Sequence, residues 1–195
     1  MDVKMRRVVT GHSETGKSIF LSDGQPMRVV TFDNSPGTVL VELWATEDTP
    51  NLPVTQDIDP TVAMTSFVPG TLGTRFRMVR FPPTQEVTDA SPNGFNPLAF
   101  EREFAMKAPG LAEAFEADNA GFHTTQTIDY GIGLSGELWL ELDDGSEVHL
   151  KPGDCVIQNG TRHAWHNRGR EACLMVFVMI GATQGLMKTS AESGT

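Results

Sequence analysis

The chain has 195 residues, of which 39% are hydrophobic and 21% are charged, and its net charge is −10 at pH 7. This composition is typical of one soluble globular domain. The excess of acidic residues argues against binding to nucleic acid or to an anionic membrane, because both require a basic face. The longest apolar stretch, residues 172–182, is too short to cross a bilayer. Because residues 1–9 contain no apolar leader, we expect a cytoplasmic protein.

The first 97 residues predict short strands separated by turns and loops. Runs rich in β-branched and aromatic residues alternate with clusters of Gly, Pro, Asn and Asp, which is typical of an all-β fold. The predicted strands are Arg6–Thr10, Ser18–Leu21, Met27–Phe32, Thr38–Trp44 and Thr74–Phe81. Residues 47–70 and 84–97 are predicted to be loops.

Residues 98–118 interrupt this pattern with a run rich in Ala, Glu, Leu and Phe, which favours helix. Pro109 and Gly110 should divide the run into two short helices. We expect this helical insert to cover the mouth or one side of a barrel, or to contact a second subunit.

The β pattern returns at residue 121. The predicted strands are His123–Leu134, Glu137–Leu142, Ser146–Leu150, Cys155–Gln158, His163–Asn167 and Ala172–Gly181. Residues 143–145 predict a hairpin turn. We therefore expect a single domain with four parts: strands and loops (1–97), the insert (98–118), the core motifs (121–181) and a flexible tail (183–195).

Polar residues in two of these strands predict a site. Successive side chains of a strand point to opposite faces, so residues two apart share a face. His123, Thr125, Thr127 and Asp129 are related in this way, and so are His163, Trp165 and Asn167. Two imidazoles and a carboxylate from different strands suit a divalent first-row metal.

The two segments resemble the motifs of the cupin superfamily. In the first motif, G-x5-H-x-H-x3-E-x6-G, His123 and Gly136 match, Thr125 stands for the second His and Asp129 stands for the Glu. In the second motif, G-x5-P-x-G-x2-H-x3-N, the matching residues are Gly153, Gly160, His163 and Asn167. Gln158 replaces the Pro of this motif, and one spacer residue is missing.

This resemblance implies a cupin-type β-barrel, that is, a double-stranded β-helix or jelly roll with extra N-terminal strands. The whole chain resembles a bacterial and fungal cupin group with the same altered first motif. It also implies the metal ligands His123, Asp129 and His163, which would hold Fe, Zn, Mn or Ni. Because Thr125 is a poor ligand, partial occupancy and an empty site remain alternatives.

Two functions follow as hypotheses. The first is a metal-dependent enzyme that acts on a small organic molecule, either as an oxygenase or as a non-redox isomerase, decarboxylase or lyase. The alternative is a non-catalytic barrel that binds or senses a small molecule.

Other residues receive supporting roles in either function. Thr125, Thr127, Trp165 and Asn167 are predicted to line the pocket or to support the ligands. Arg75 and Arg77 share a strand face and are candidates to hold a substrate carboxylate. The exposed position expected for Trp139 and the edge strands predict a homodimer.

Overall fold

The computed structural model describes residues 5–91, 94–183 and 185. Within these ranges the chain forms mostly β-strands, which confirms the all-β prediction. The strands are β1 (Arg7–His12), β2 (Ser18–Gly24), β3 (Arg28–Thr31), β4 (Val39–Thr46), β5 (Thr74–Phe81), β6 (Thr127–Ser135), β7 (Leu138–Glu141), β8 (Glu147–Leu150), β9 (Cys155–Asn159), β10 (Ala164–His166) and β11 (Cys173–Gly181). The predicted tail, residues 183–195, falls almost wholly outside the described residues.

Three helices lie among the described residues: α1 (Pro60–Ala63), α2 (Thr84–Asp89) and α3 (Pro97–Lys107). The helical insert predicted near residues 98–118 is confirmed by α3, but the second of its two predicted helices is only a 3₁₀ turn at Ala112–Ala114. The side chain of Asn96 caps α3 by accepting a hydrogen bond from the backbone N–H of Ala99 at 3.1 Å. The short helices α1 and α2 were not predicted, because their segments are proline-rich and polar. None of the described helices is long and apolar enough to cross a membrane.

The strands form two facing sheets and a separate hairpin. The larger sheet has the order β3-β4-β5-β11-β6-β9, the smaller has the order β10-β7-β8, and β1 pairs with β2. Leu138 of the smaller sheet belongs to the same buried cluster as Leu40 and Met175 of the larger. This is the layered arrangement of a jelly roll, and its interior contains the predicted site.

Strand β6 shows how alternation builds that interior. Its odd-numbered residues from Thr127 to Gly133 are buried, whereas the even-numbered residues between Ile128 and Leu134 are exposed. Gly136 then turns the chain with φ of +71°, where an added Cβ would lie 2.4 Å from the carbonyl oxygen of Ala172. The glycine that closes the first motif is therefore required by close backbone packing.

Helix α3 is joined to the larger sheet by rings and by one buried carboxylate. The rings of Phe104 and Phe32 lie 5.2 Å apart between centroids. The Glu103 carboxylate accepts hydrogen bonds from the backbone N–H groups of Asp33 (2.7 Å) and Asn34 (2.8 Å) and pairs with Lys107. Burial raises the pKa of Glu103, but these donors outweigh it and lower the pKa to about 2.

We predict that Glu103→Gln lowers the free energy of unfolding by about 1–3 kcal/mol at pH 7, because charge-assisted hydrogen bonds are lost. A carboxylate with a lowered folded pKa stabilises the fold above its unfolded pKa and stops doing so as pH falls through the folded value. The difference from wild type should therefore shrink between about pH 5 and pH 2. Urea unfolding at several pH values measures the difference in the free energy of unfolding. Glu101→Gln, on the exposed side of α3, is the control. A difference that is constant with pH would contradict this assignment.

Candidate functional site

A cavity of about 450 Å³ lies between the two sheets and is closed on one side by the α2–α3 region. Its lining is mostly aromatic and aliphatic, which is typical of sites for small organic molecules. The aromatic lining residues are Phe81, Phe95, Phe100, Phe104, Phe115, Trp165 and Phe177. The cavity has one polar side, here called the polar wall, formed by His123, Thr125, Asp129, Gln158 and His163.

Two histidines of the polar wall are held together by their backbones. The N–H of His123 donates to the carbonyl oxygen of His163 at 2.9 Å, and the N–H of His163 donates to the carbonyl oxygen of His123 at 3.0 Å. This reciprocal pair places both side chains on one face. The imidazole centroids are 4.1 Å apart, and Phe115 stacks on His123 at 4.3 Å. We refer to these two residues as the imidazole pair.

Both imidazoles are fixed in the same tautomer. Nδ1 of His123 lies 3.1 Å from the carbonyl oxygen of Gly121, and Nδ1 of His163 lies 2.8 Å from that of Thr161. A carbonyl only accepts, so each Nδ1 carries the proton and each Nε2 keeps its lone pair. Burial lowers the pKa of His123 to about 4, with help from His163, and burial also lowers the pKa of His163. The imidazole pair is therefore neutral at pH 7 and presents two Nε2 lone pairs to the cavity.

Asp129 supplies a carboxylate to the same wall. Its neighbours across the sheet are Gln158 on β9 and Met179 on β11. The side chain is buried, and its Oδ1 atom has no hydrogen-bond partner among the described residues. Burial raises the pKa of Asp129 to about 6 against the opposing effects of the Thr127 hydroxyl and the Arg77 guanidinium. An unpaired, buried carboxylate oxygen is costly, and such atoms mark sites of proton transfer or ligand binding.

The three metal ligands predicted from the sequence all line this cavity. The donor atoms of His123, Asp129 and His163 do not all lie within 4.8 Å of one another. His123 lies on an isolated bridge before β6, which begins at Thr127, whereas Asp129 lies within that strand. The imidazole pair is assembled, and Asp129 as its third ligand stays a prediction.

The set that does meet this distance within the described part of the chain lies elsewhere, at Glu141, Glu147 and His166. It joins β7, β8 and β10. Arg168 already binds both carboxylate oxygens of Glu147, and Glu141 accepts from Nε2 of His166 at 2.7 Å. The interactions of this cluster are thus largely satisfied within the protein, as in an ordinary surface charge network.

The predicted pocket residues have different positions. Thr125 and Trp165 line the cavity, and the Trp165 ring lies 5.6 Å from that of His163. Thr127 is buried, and its hydroxyl lies 2.8 Å from that of Thr125. Asn167 also borders the cavity, but its amide is occupied by backbone groups of Phe81, Gly169 and Glu171, all at 2.9 Å. Asn167 therefore fixes the end of β10 and offers little to a ligand.

The two arginines predicted as substrate anchors are both buried and already paired. Arg75 does not line the cavity, and its guanidinium binds three backbone carbonyls and Glu47. Arg77 does line it, but its Nε lies 2.9 Å from a carboxylate oxygen of Glu42, and it also donates to the carbonyl of Phe67. Burial raises the pKa of Glu42, and Arg77 is the main opposing influence.

Residues that sequence reasoning missed complete the cavity. Gln158, in the position of the motif proline, is buried beside Asp129 and donates to Thr161. Phe100 and Phe104 on α3 and Phe95 before it also line the cavity, whereas the insert had been expected to cover the barrel or to contact a second subunit. The four-residue spacing of Phe100 and Phe104, which puts them on one helix face, was the available signal.

Comparison with known proteins agrees with the motif resemblance. Residues 116–179 match the family described as Cupin domain. The Phomopsin biosynthesis cluster protein D of Diaporthe leptostromiformis is 49% identical over 61 residues, which are 31% of this chain and 32% of that protein. The cupin-domain-containing oxidoreductase virC of Hypocrea virens is 25% identical over 165 residues, 83% of this chain and 66% of that protein. The chain thus matches about a third of the length of the first of these relatives.

Solved structures with a similar fold include the Cnp3 cupin domain of Schizosaccharomyces pombe, with a TM-score of 0.46 and 10% identity over 91% of this chain and 88% of that one. The Cupin_2 domain of an XRE family transcriptional regulator from Enterobacter cloacae has a TM-score of 0.37 and 12% identity over 75% and 99% of the two chains. Residues 116–179, which contain both motifs and the whole polar wall, are a cupin domain.

Proposed function

We propose that the protein is a metal-dependent cupin enzyme that acts on a small, largely apolar organic molecule bound in the cavity. The observation that carries this proposal is the imidazole pair: two neutral rings whose Nδ1 atoms are held by backbone carbonyls and whose Nε2 atoms have no hydrogen-bond partner among the described residues. That arrangement is characteristic of metal-ligating histidines. Asp129 adds a group of perturbed pKa to the same cavity.

The residues fit a divalent transition metal in part. His123 and His163 would hold it through their Nε2 atoms, which suits Fe, Zn, Mn or Ni. Asp129 does not complete the ligand set, so the remaining positions would be left for water or substrate. When bound, the metal would supply Lewis-acid or redox chemistry at the polar wall.

The chain's own residues would perform the remaining tasks. The backbone hydrogen bonds between His123 and His163 hold the imidazole pair in place. The aromatic lining excludes water and holds the body of the substrate. Asp129, whose Oδ1 is unpaired, would accept a proton from the substrate or return one to it, since a raised pKa places the carboxylate close to working pH.

The relatives favour the redox branch of this proposal. Three of them, from Hypocrea virens, Aspergillus ruber and Neurospora crassa, are named cupin-domain-containing oxidoreductases. Others are named for phomopsin and oryzine biosynthesis clusters. We therefore place the protein among the oxidoreductases, ahead of the isomerases, decarboxylases and lyases.

A non-catalytic binding protein is the second candidate. It is favoured by the separation of Asp129 from the imidazole pair and by Thr125 in the place of a ligand. Tight binding of a small molecule that is unchanged by chelator and gives no turnover would support it over the enzyme.

We predict that protein prepared without a histidine tag binds one divalent metal ion and that His163→Ala abolishes this binding. Removing one of two imidazole donors should leave too few protein ligands to retain an ion. Isothermal titration with zinc and elemental analysis measure the effect. His149→Ala is the matched control, because His149 lies outside the cavity, stacked on Trp139 with centroids 4.1 Å apart. Equal loss in both variants would refute the site.

We further predict that Asp129→Asn changes metal affinity by less than about tenfold, because Asp129 is not placed as a third ligand. Substrate turnover should nevertheless fall by about 10²-fold or more, because proton transfer is removed. The same zinc titration gives the affinity. A loss of metal binding as complete as that of His163→Ala would instead restore the three-ligand set predicted from the sequence.

A further inference from the structure

The polar wall leaves several hydrogen-bond acceptors open. Among the described residues, Nε2 of His123, Nε2 of His163 and Oδ1 of Asp129 have no hydrogen-bond partner, and each of them can accept a hydrogen bond. The side-chain N–H donors of the wall are already used. The amide nitrogen of Gln158 donates to Thr161, and the hydroxyl of Thr125 is paired with that of Thr127.

The cation beside this wall is already balanced by a buried carboxylate. Arg77 is the arginine among the cavity-lining residues that the structure describes, and its guanidinium is paired with Glu42 and with the carbonyl of Phe67. Without a bound metal, a carboxylate or phosphate group would meet the buried acceptor Oδ1 of Asp129 and no unbalanced positive charge among the described lining residues. Burying an unpaired anion there would be costly. A group that donates hydrogen bonds has matching partners.

The rest of the cavity is built for flat rings. Phe95, Phe100, Phe104, Phe115 and His123 form a continuous series in which neighbouring centroids are 5.9, 5.4, 5.3 and 4.3 Å apart. This series runs from Phe95, which is exposed, to His123 of the imidazole pair.

Three further rings form a second aromatic side. Trp165 lies 6.2 Å from Phe81 and 5.7 Å from Phe177. Aromatic side chains at such distances favour stacked and edge-on contacts with an aromatic guest. A cavity of about 450 Å³ can hold one or two fused rings with substituents.

We infer that the ligand of this cavity is a hydroxylated aromatic molecule of the phenol or naphthol class, whose ring lies along the phenylalanine series and whose hydroxyl donates to Oδ1 of Asp129. The inference rests on the proposed function for the identity of the site and deepens it by naming the substrate class. A metal on the imidazole pair would occupy the two Nε2 acceptors and leave Asp129 Oδ1 for the hydroxyl.

Three probes of one shape test the inference: 2-naphthol, 2-methylnaphthalene and 2-naphthoate, titrated calorimetrically into wild-type protein with and without zinc. 2-Naphthol and 2-methylnaphthalene differ in the hydroxyl group, which a methyl group replaces in the second. 2-Naphthoate carries a carboxylate at the same position. In metal-free protein we expect 2-naphthol to bind about tenfold or more tightly than either of the others, because only it satisfies the buried acceptor. In metal-free protein, equal affinities for 2-naphthol and 2-methylnaphthalene, or tightest binding of 2-naphthoate, would overturn the inference.

Two variants separate the contributions of the hydroxyl and the ring. Asp129→Leu, which removes the acceptor at similar size, should abolish the preference for 2-naphthol over 2-methylnaphthalene. Phe100→Leu should weaken both ligands by a similar factor and leave their ratio unchanged. A preference that survives in Asp129→Leu would contradict the assigned acceptor. If Asp129→Leu does not fold, the ratio of the affinities of wild-type protein for 2-naphthol and 2-methylnaphthalene still tests the inference.

The same titrations distinguish this inference from the proposed function. Zinc binding that depends on His163, without a preference for 2-naphthol, would leave the enzyme proposal standing and overturn the substrate class. A preference for 2-naphthol without any metal binding would overturn the metal-dependent enzyme and support the ligand class for a binding protein.

Discussion

The reciprocal backbone hydrogen bonds between His123 and His163 are the constraint on which the candidate site depends. Each histidine is held at its backbone by the other and at its Nδ1 by a carbonyl two residues earlier, at Gly121 and Thr161. Neither ring therefore needs a carboxylate to fix its tautomer. The result is a preorganised pair of lone pairs in a buried, largely apolar space, which is what a metal or a hydrogen-bond donor requires. Burial keeps both rings neutral by disfavouring their charged forms.

The helical insert supplies part of the lining of the cavity between the two sheets. Helix α3 contributes Phe100 and Phe104 to the cavity, and Glu103 on the same helix is fixed to the end of β3 through the backbone at Asp33 and Asn34. Stability and ligand binding are thus linked on one element. A helix held by a buried carboxylate presents its rings to the site in a defined position, and Phe115 then extends the aromatic surface to the imidazole pair.

Sequence reasoning predicted the fold well, because alternation and turn chemistry are local. The burial pattern of β6 and the division of the insert near Pro109 follow directly from residue order. Motif spacing identified His123 and His163, which the structure brings together, and the place of Asp129 as their third ligand stays a prediction. Parity shows which face a side chain occupies and says nothing of how far along the strand it lies. The burial of Arg75 could not be predicted either, because two of its partners, Ser66 and Glu47, lie in loops whose path the sequence does not specify.

The central claim is that one metal ion would be held by the imidazole pair alone. Anomalous diffraction from crystals soaked in zinc tests it most directly, because it locates the ion without reference to activity. The account predicts a single buried peak at about 2.0–2.1 Å from Nε2 of His123 and Nε2 of His163, with the carboxylate of Asp129 outside bonding distance. A peak bonded instead by Glu141 and His166 at the surface, or none within the cavity, would contradict it.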